Sequence, residues 1–154
     1  MIDRRDHALR RGAAELQLGT REDPRRIVEM GEAAEWMAAE ALGITDHDIG
    51  KLGRDQGWDL VLHGWKIDVK WSSNLRRCLL VSADITLLAD IYVLVVGDTK
   101  DDLSIAGWAW RRDVVLCELV HLAKNGRPSY CFPTKSLQPK ITLISGAKRR
   151  PKAP

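Results

Sequence analysis

Every position from Ile91 to Val96 carries a large apolar or aromatic side chain, in the order Ile-Tyr-Val-Leu-Val-Val, with Asp90 just ahead of it. A strand that is apolar at successive positions, rather than at alternate ones, is covered on both faces. Such a strand belongs in the middle of a sheet, and the rest of the chain has to supply the elements that cover it. With 154 residues the chain is long enough to bury that core as a single domain without staples.

The flanking pattern supplies partners of both kinds. Ile27, Met30, Ala34, Met37, Ala38 and Ala41 fall on one stripe at helical spacing and predict a helix from Pro24 to Leu42. Asp23 is its N-cap, Pro24 its first position and Gly43 its stop. Residues 43–57 read as a glycine-rich loop. Trp58 to Leu62 and Trp65 to Trp71 read as two strands joined by the tight turn His63-Gly64. Leu103 to Trp110 is a further strand, Val114 to Lys124 a helix, and Tyr130 to Phe132 and Ile141 to Ile144 short extended segments. Residues 74–83 are ambiguous. The expected fold class is α/β, a central mixed sheet flanked by helices in the order αβββαβ. Its domain runs over 24–146, between an Arg-rich N-terminal arm or helix (1–23) and a basic C-terminal tail (147–154).

The hairpin carries the chemistry. Asp68 and Lys70 are two apart on one strand, so they point to one face. The turn folds Asp59 back beside Asp68. The residues between are Leu60, Leu62, Ile67 and Val69, and an otherwise apolar strand has little structural reason to align an acid and a lysine. Two close carboxylates repel each other, and a hard divalent cation relieves that repulsion. Asp59 and Asp68 are therefore candidate Mg²⁺ ligands, with the main-chain carbonyl of Val69 as a further one. Lys70 is placed to orient water or to stabilise the added charge of a phosphodiester transition state. The competing structural account is a surface hairpin with a weak Asp68–Lys70 ion pair.

Asp59 followed by Asp68-x-Lys70 resembles the PD-(D/E)XK nuclease superfamily, which includes restriction endonucleases, junction resolvases and many phage-encoded nucleases. Trp58 stands where the motif's proline usually does. The resemblance extends over about residues 27–145. It takes in Gly31-Glu32-Ala33-Ala34-Glu35 on the upstream helix, the run Ala89 to Val95, and Ile105-Ala106-Gly107-Trp108. It implies a restriction-endonuclease-like core and a metal-dependent deoxyribonuclease using Mg²⁺, with Mn²⁺ able to substitute. It also implies DNA as partner, a homodimer as a plausible assembly, and a helix acid in the site. At about 100° per residue Glu35 lies nearer the border of the apolar stripe and Glu32 nearer the opposite face. Glu35 is the candidate, as metal ligand or water-positioning residue, and Glu32 the alternative.

Ser72, Arg76 and Arg77 follow Lys70 and are candidate nucleic-acid contacts; a polar exit from the strand accounts for them equally well. Trp58, Trp65 and Trp71 suit core packing better than stacking on bases. Net charge is only +3, but Lys148, Arg149, Arg150 and Lys152 form an acid-free cluster able to meet phosphates. Cys78, Cys117 and Cys131 are odd in number and widely spaced, which argues against a disulfide frame or a zinc site and predicts reduced thiols. No apolar run is long enough to span a membrane and Met1 to Asp6 lack a signal-peptide core, so the expected location is cytoplasmic. No organic cofactor is expected. The competing function is a catalytically inactive nucleic-acid-binding or protein-interaction module on the same fold, and RNA is not separated from DNA as the substrate.

Overall fold

The computed structural model describes residues 23–44, 57–75, 78–121 and 128–146. Helix α1 (Pro24–Ala41) starts and stops where its signals stand. The Asp23 side chain accepts the Arg25 N–H at 2.9 Å, and Gly43 takes the left-handed conformation, φ 67°, that ends the helix. Ala34 and Ala38 are completely buried. Their small side chains let the helix lie close against a sheet.

That sheet has four strands in the order β1-β2-β4-β5. Strands β1 (Leu60–Leu62) and β2 (Trp65–Ser72) form the hairpin. His63 and Gly64 at its tip both have positive φ, 52° and 85°, the backbone of a turn whose twist matches the two strands. Strand β2 runs parallel to β4 (Ile91–Val96), which pairs antiparallel with β5 (Ser104–Trp110). Thus β4 is the buried interior strand that its composition demands, with Ile91, Val93 and Val95 fully covered.

The two faces of this sheet are covered differently. Leu60, Leu62, Ile67, Val69, Val93 and Trp108 pack against Ala34, Ala38 and Leu42 of the helix side, together with Leu143. Leu143 belongs to α3 (Lys140–Gly146), the last helix. On the other face Tyr92, Leu94 and Ala109 meet Leu79, Val81 and Phe132 of a second sheet. This sheet is antiparallel, ordered β3-β7-β6, from β3 (Cys78–Ser82), β6 (Leu119–His121) and β7 (Pro128–Pro133). A one-turn helix, α2 (Arg111–Val114), and a 3₁₀ turn, Thr134–Ser136, complete the described elements.

The α/β class with a mixed sheet is as expected, but three expectations need correction. The sheet is not flanked by helices on both faces, because a second sheet takes one of them. The helix expected over Val114 to Lys124 ends at Val114, and Leu119–His121 pairs instead with β7 in the register Leu119↔Tyr130 to His121↔Pro128. The stretch Ile141 to Ile144 is helical, not extended. The cysteine reading is corrected as well. Cys78 and Cys131 form a disulfide across β3 and β7, their Cα atoms 5.3 Å apart, and Cys117 is a free, half-buried thiol. The cysteines therefore no longer argue for a reducing compartment. Among the described residues no helix is long and apolar enough to cross a membrane. The N-terminal arm up to residue 22 and the tail from residue 147 lie outside the described residues.

Candidate active site

The site is built where β1 runs out. The hairpin ladder pairs Leu62 with Trp65, Val61 with Lys66 and Leu60 with Ile67. Asp59, one step further, donates its N–H to the Ile67 carbonyl at 2.8 Å. Its side chain then takes over from the missing strand: Oδ2 accepts the Val69 N–H at 2.7 Å. A carboxylate thus continues the ladder along an otherwise open strand edge. The N–H and C=O of one strand residue point the same way, so the Val69 carbonyl faces this same edge, beside Asp59. The even-numbered residues point towards β4 instead, as the Lys66 and Ser72 carbonyls do when they accept from Asp90 and Gly97.

Side chains of Asp68 and Lys70 leave the face opposite α1. Lys70 Nζ lies 2.8 Å from Asp68 Oδ2, with the two side chains only 22% and 19% exposed. This is not the surface ion pair of the structural alternative, since both charges have left most of their water behind. Asp68 stands level with Tyr92 on the neighbouring parallel strand. Burial, and then the charge of Asp68, hold the Tyr92 phenol above its ordinary value. Sequence reasoning missed this neighbour, because the register between β2 and β4 has no local signal.

Glu35 stands on α1. It is half-buried, whereas Glu32 is exposed. Its charge is felt at Asp59: burial first, then Asp68, then Glu35 push the Asp59 carboxyl up to about 8, against the Val69 N–H and the Lys70 ammonium. The helix acid that the stripe geometry favours is therefore the one coupled to Asp59.

Ser72 is buried, and its hydroxyl donates to the Asn74 carbonyl at 2.8 Å, so it stabilises the strand exit rather than presenting itself to a ligand. Arg76 and Arg77 lie outside the described residues. The tryptophans expected in the core are there. Trp71 donates its indole N–H to the Gly97 carbonyl, and Trp65 meets Trp110 edge to face. Trp58 carries the Lys66 ammonium 3.9 Å from its ring centroid. The N-terminal turn of α1 is pinned to the far end of β2, since Arg26 lies over Trp71 and pairs with Asp98 at 2.7 Å.

The donors on offer, two aspartates, a glutamate and a main-chain carbonyl, are all oxygen, as a hard divalent cation requires. Asp59 in particular is a half-buried carboxylate whose charged form is disfavoured where it stands, and a cation would reverse that. Among the described residues, however, no three of His, Cys, Asp or Glu stand close enough together to cage an ion. The arrangement fits a cation held by one or two carboxylates that keeps several waters, not a closed protein cage. In comparisons with known proteins, no family model, no curated protein and no solved structure matches the chain.

Proposed function

We propose that the protein is a metal-dependent nuclease of the PD-(D/E)XK type, hydrolysing phosphodiester bonds in DNA. The observation that carries this reading is the meeting, on one open strand edge, of Asp59, Asp68 and Lys70 with the charge of Glu35. Structural needs alone do not explain this grouping, because the charges of Asp68 and Glu35 both disfavour the charged form of the half-buried Asp59.

The chain's own residues divide the work as follows. Asp59 is fixed by the Val69 N–H, so one of its oxygens is immobile and the other takes no part in that bond. Asp59, Asp68 and the Val69 carbonyl would hold the cation, and Glu35 would hold either the cation or its water. A divalent cation bound there supplies Lewis acidity towards water and the scissile phosphate. Lys70 places a positive charge beside Asp68, where it can orient water or stabilise the extra negative charge of the transition state. The apolar residues Ile67 and Val69 keep the strand rigid beneath these groups.

The test is cleavage of labelled duplex, single-stranded, flap and four-way-junction DNA with Mg²⁺, Mn²⁺ or EDTA. Wild type is compared with Asp68→Ala, Glu35→Gln and Glu32→Gln. Metal-dependent cleavage should vanish in Asp68→Ala and fall by roughly 10–100-fold in Glu35→Gln. Glu32→Gln should cut like wild type. Failure on all DNAs and on an RNA panel would sink the nuclease reading. The lack of a tight three-ligand group among the described residues favours one alternative, a binding module without chemistry. DNA binding indifferent to EDTA and to Asp68→Ala would establish that module.

A further inference from the structure

Asp68 has an occupant already. Its Oδ2 holds the Lys70 ammonium at 2.8 Å, and Asp59 commits Oδ2 to the Val69 N–H, so each aspartate has one oxygen engaged by the chain itself. An ammonium and a hard divalent cation seek the same carboxylate oxygens. Both members of the pair are about four-fifths covered, which makes their attraction stronger than that of a surface pair and makes an unpaired Asp68 costly. The formal charges point the same way. In their ionised forms Asp59, Asp68 and Glu35 carry three negative charges against the one positive charge of Lys70, a difference that one divalent cation would offset.

We propose that Lys70 is the resident counter-ion of the site: it occupies part of the cation's seat on Asp68, and yields that seat when a divalent cation enters. On release the ammonium stays tethered two residues from Asp68, free to turn towards the phosphate. This arrangement turns Asp68 to its own lysine. It also makes Lys70 self-limiting. The residue serves the reaction only when the cation is present, and it weakens cation binding by competing for Asp68. The inference rests on the metal-dependent reading above.

Direct cation binding tests it without any turnover. The full chain is stripped of metal and titrated with Ca²⁺ by calorimetry and with Tb³⁺ by tryptophan-sensitised luminescence. Wild type is measured beside Lys70→Met, Lys70→Arg and Asp68→Asn, with thermal unfolding of each to confirm folding. Removing the competing ammonium should tighten Ca²⁺ binding in Lys70→Met by about tenfold or more. Lys70→Arg, which keeps a cation on Asp68, should stay near wild type, and Asp68→Asn should bind weakly. Equal or weaker binding in Lys70→Met would overturn the counter-ion role while leaving a metal site in place. No saturable binding in wild type or Lys70→Met would overturn the inference together with the metal-dependent reading beneath it.

Discussion

At the scale of single residues, Asp59 concentrates the physics of the site. Its carboxyl is pushed up to about 8 by burial and by Asp68 and Glu35. A folded-state value above the unfolded one means that the folded protein binds the proton more tightly. The stabilisation linked to this proton is then complete below about pH 4 and is lost as pH rises through about 8. In EDTA the wild type should lose thermal stability between about pH 4 and about pH 8. Asp59→Asn keeps an oxygen for the Val69 N–H but carries no charge, so it should lose much less. At pH 9 the variant should melt higher than wild type by roughly 3–6 °C. Parallel melting curves for the two proteins across this range would show that burial does not disfavour the Asp59 charge as described. The pairing of Asp59, Asp68 and Lys70 was legible in the sequence because strand alternation and a two-residue turn fix it locally. The greater burial of Glu35 than of Glu32 was legible from helical angles. The commitment of Ser72 to Asn74 was not, since a polar strand exit looks the same whether its hydroxyl turns inward or outward.

At the scale of elements, what local pattern determines was readable and what distant pairing determines was not. Helix α1, the hairpin and β4 carry their caps, turn and apolar run within themselves. The segment from Val114 lacks such autonomy. Val115 and Val120 are β-branched and poorly suited to a helix, and the Glu118 carbonyl is taken by the Cys131 N–H at 2.9 Å, so β7 draws the segment into a sheet. In α3 the opposite happens. Ile141, Thr142 and Ile144 favour strands, yet the Trp108 indole donates to the Pro139 carbonyl and to the Thr142 hydroxyl, and Leu143 is fully buried. Tertiary contacts override propensity in both places. The disulfide was unreadable for the same reason, because Cys78 and Cys131 are 53 residues apart and become neighbours only through the β3–β7 pairing. Closing a loop of that length stabilises by about 4 kcal/mol on chain-entropy grounds. Unfolded under non-reducing conditions, the protein should therefore titrate as one free thiol, from Cys117, and as three after reduction. Cys78→Ser/Cys131→Ser should shift the denaturation midpoint down and leave Cys117 as the single thiol. Three thiols in the oxidised, unfolded chain would show that the bridge does not form.

At the scale of the whole molecule, the candidate site poses an electrostatic problem for its proposed substrate. Asp59 feels the charges of Asp68, Glu35 and Lys70, more acid than base, and a polyanion would have to be brought to them. A divalent cation cancels the local deficit but does not attract a duplex from a distance. Over the whole chain the 24 Lys and Arg exceed the 21 Asp and Glu by only three. The steering charge must therefore be distributed unevenly to be effective. The sequence offers one acid-free cationic cluster, Lys148, Arg149, Arg150 and Lys152, which follows α3 directly. The last described core residue before it is Leu143, so removing residues 147–154 takes away charge and keeps every described core residue. Truncation after Gly146 should leave the melting temperature within about 2 °C of the full chain, the scale of a surface change. It should weaken DNA binding most at low salt. If all four cations meet phosphates, it should also flatten the dependence of log Kd on log salt by about 3 to 4. Cleavage at saturating DNA should be unaffected, because Asp59, Asp68, Lys70 and Glu35 are all retained. An unchanged salt slope would place the steering charge elsewhere, with Arg25, Arg26, Arg111 and Arg112 as the next cations to remove.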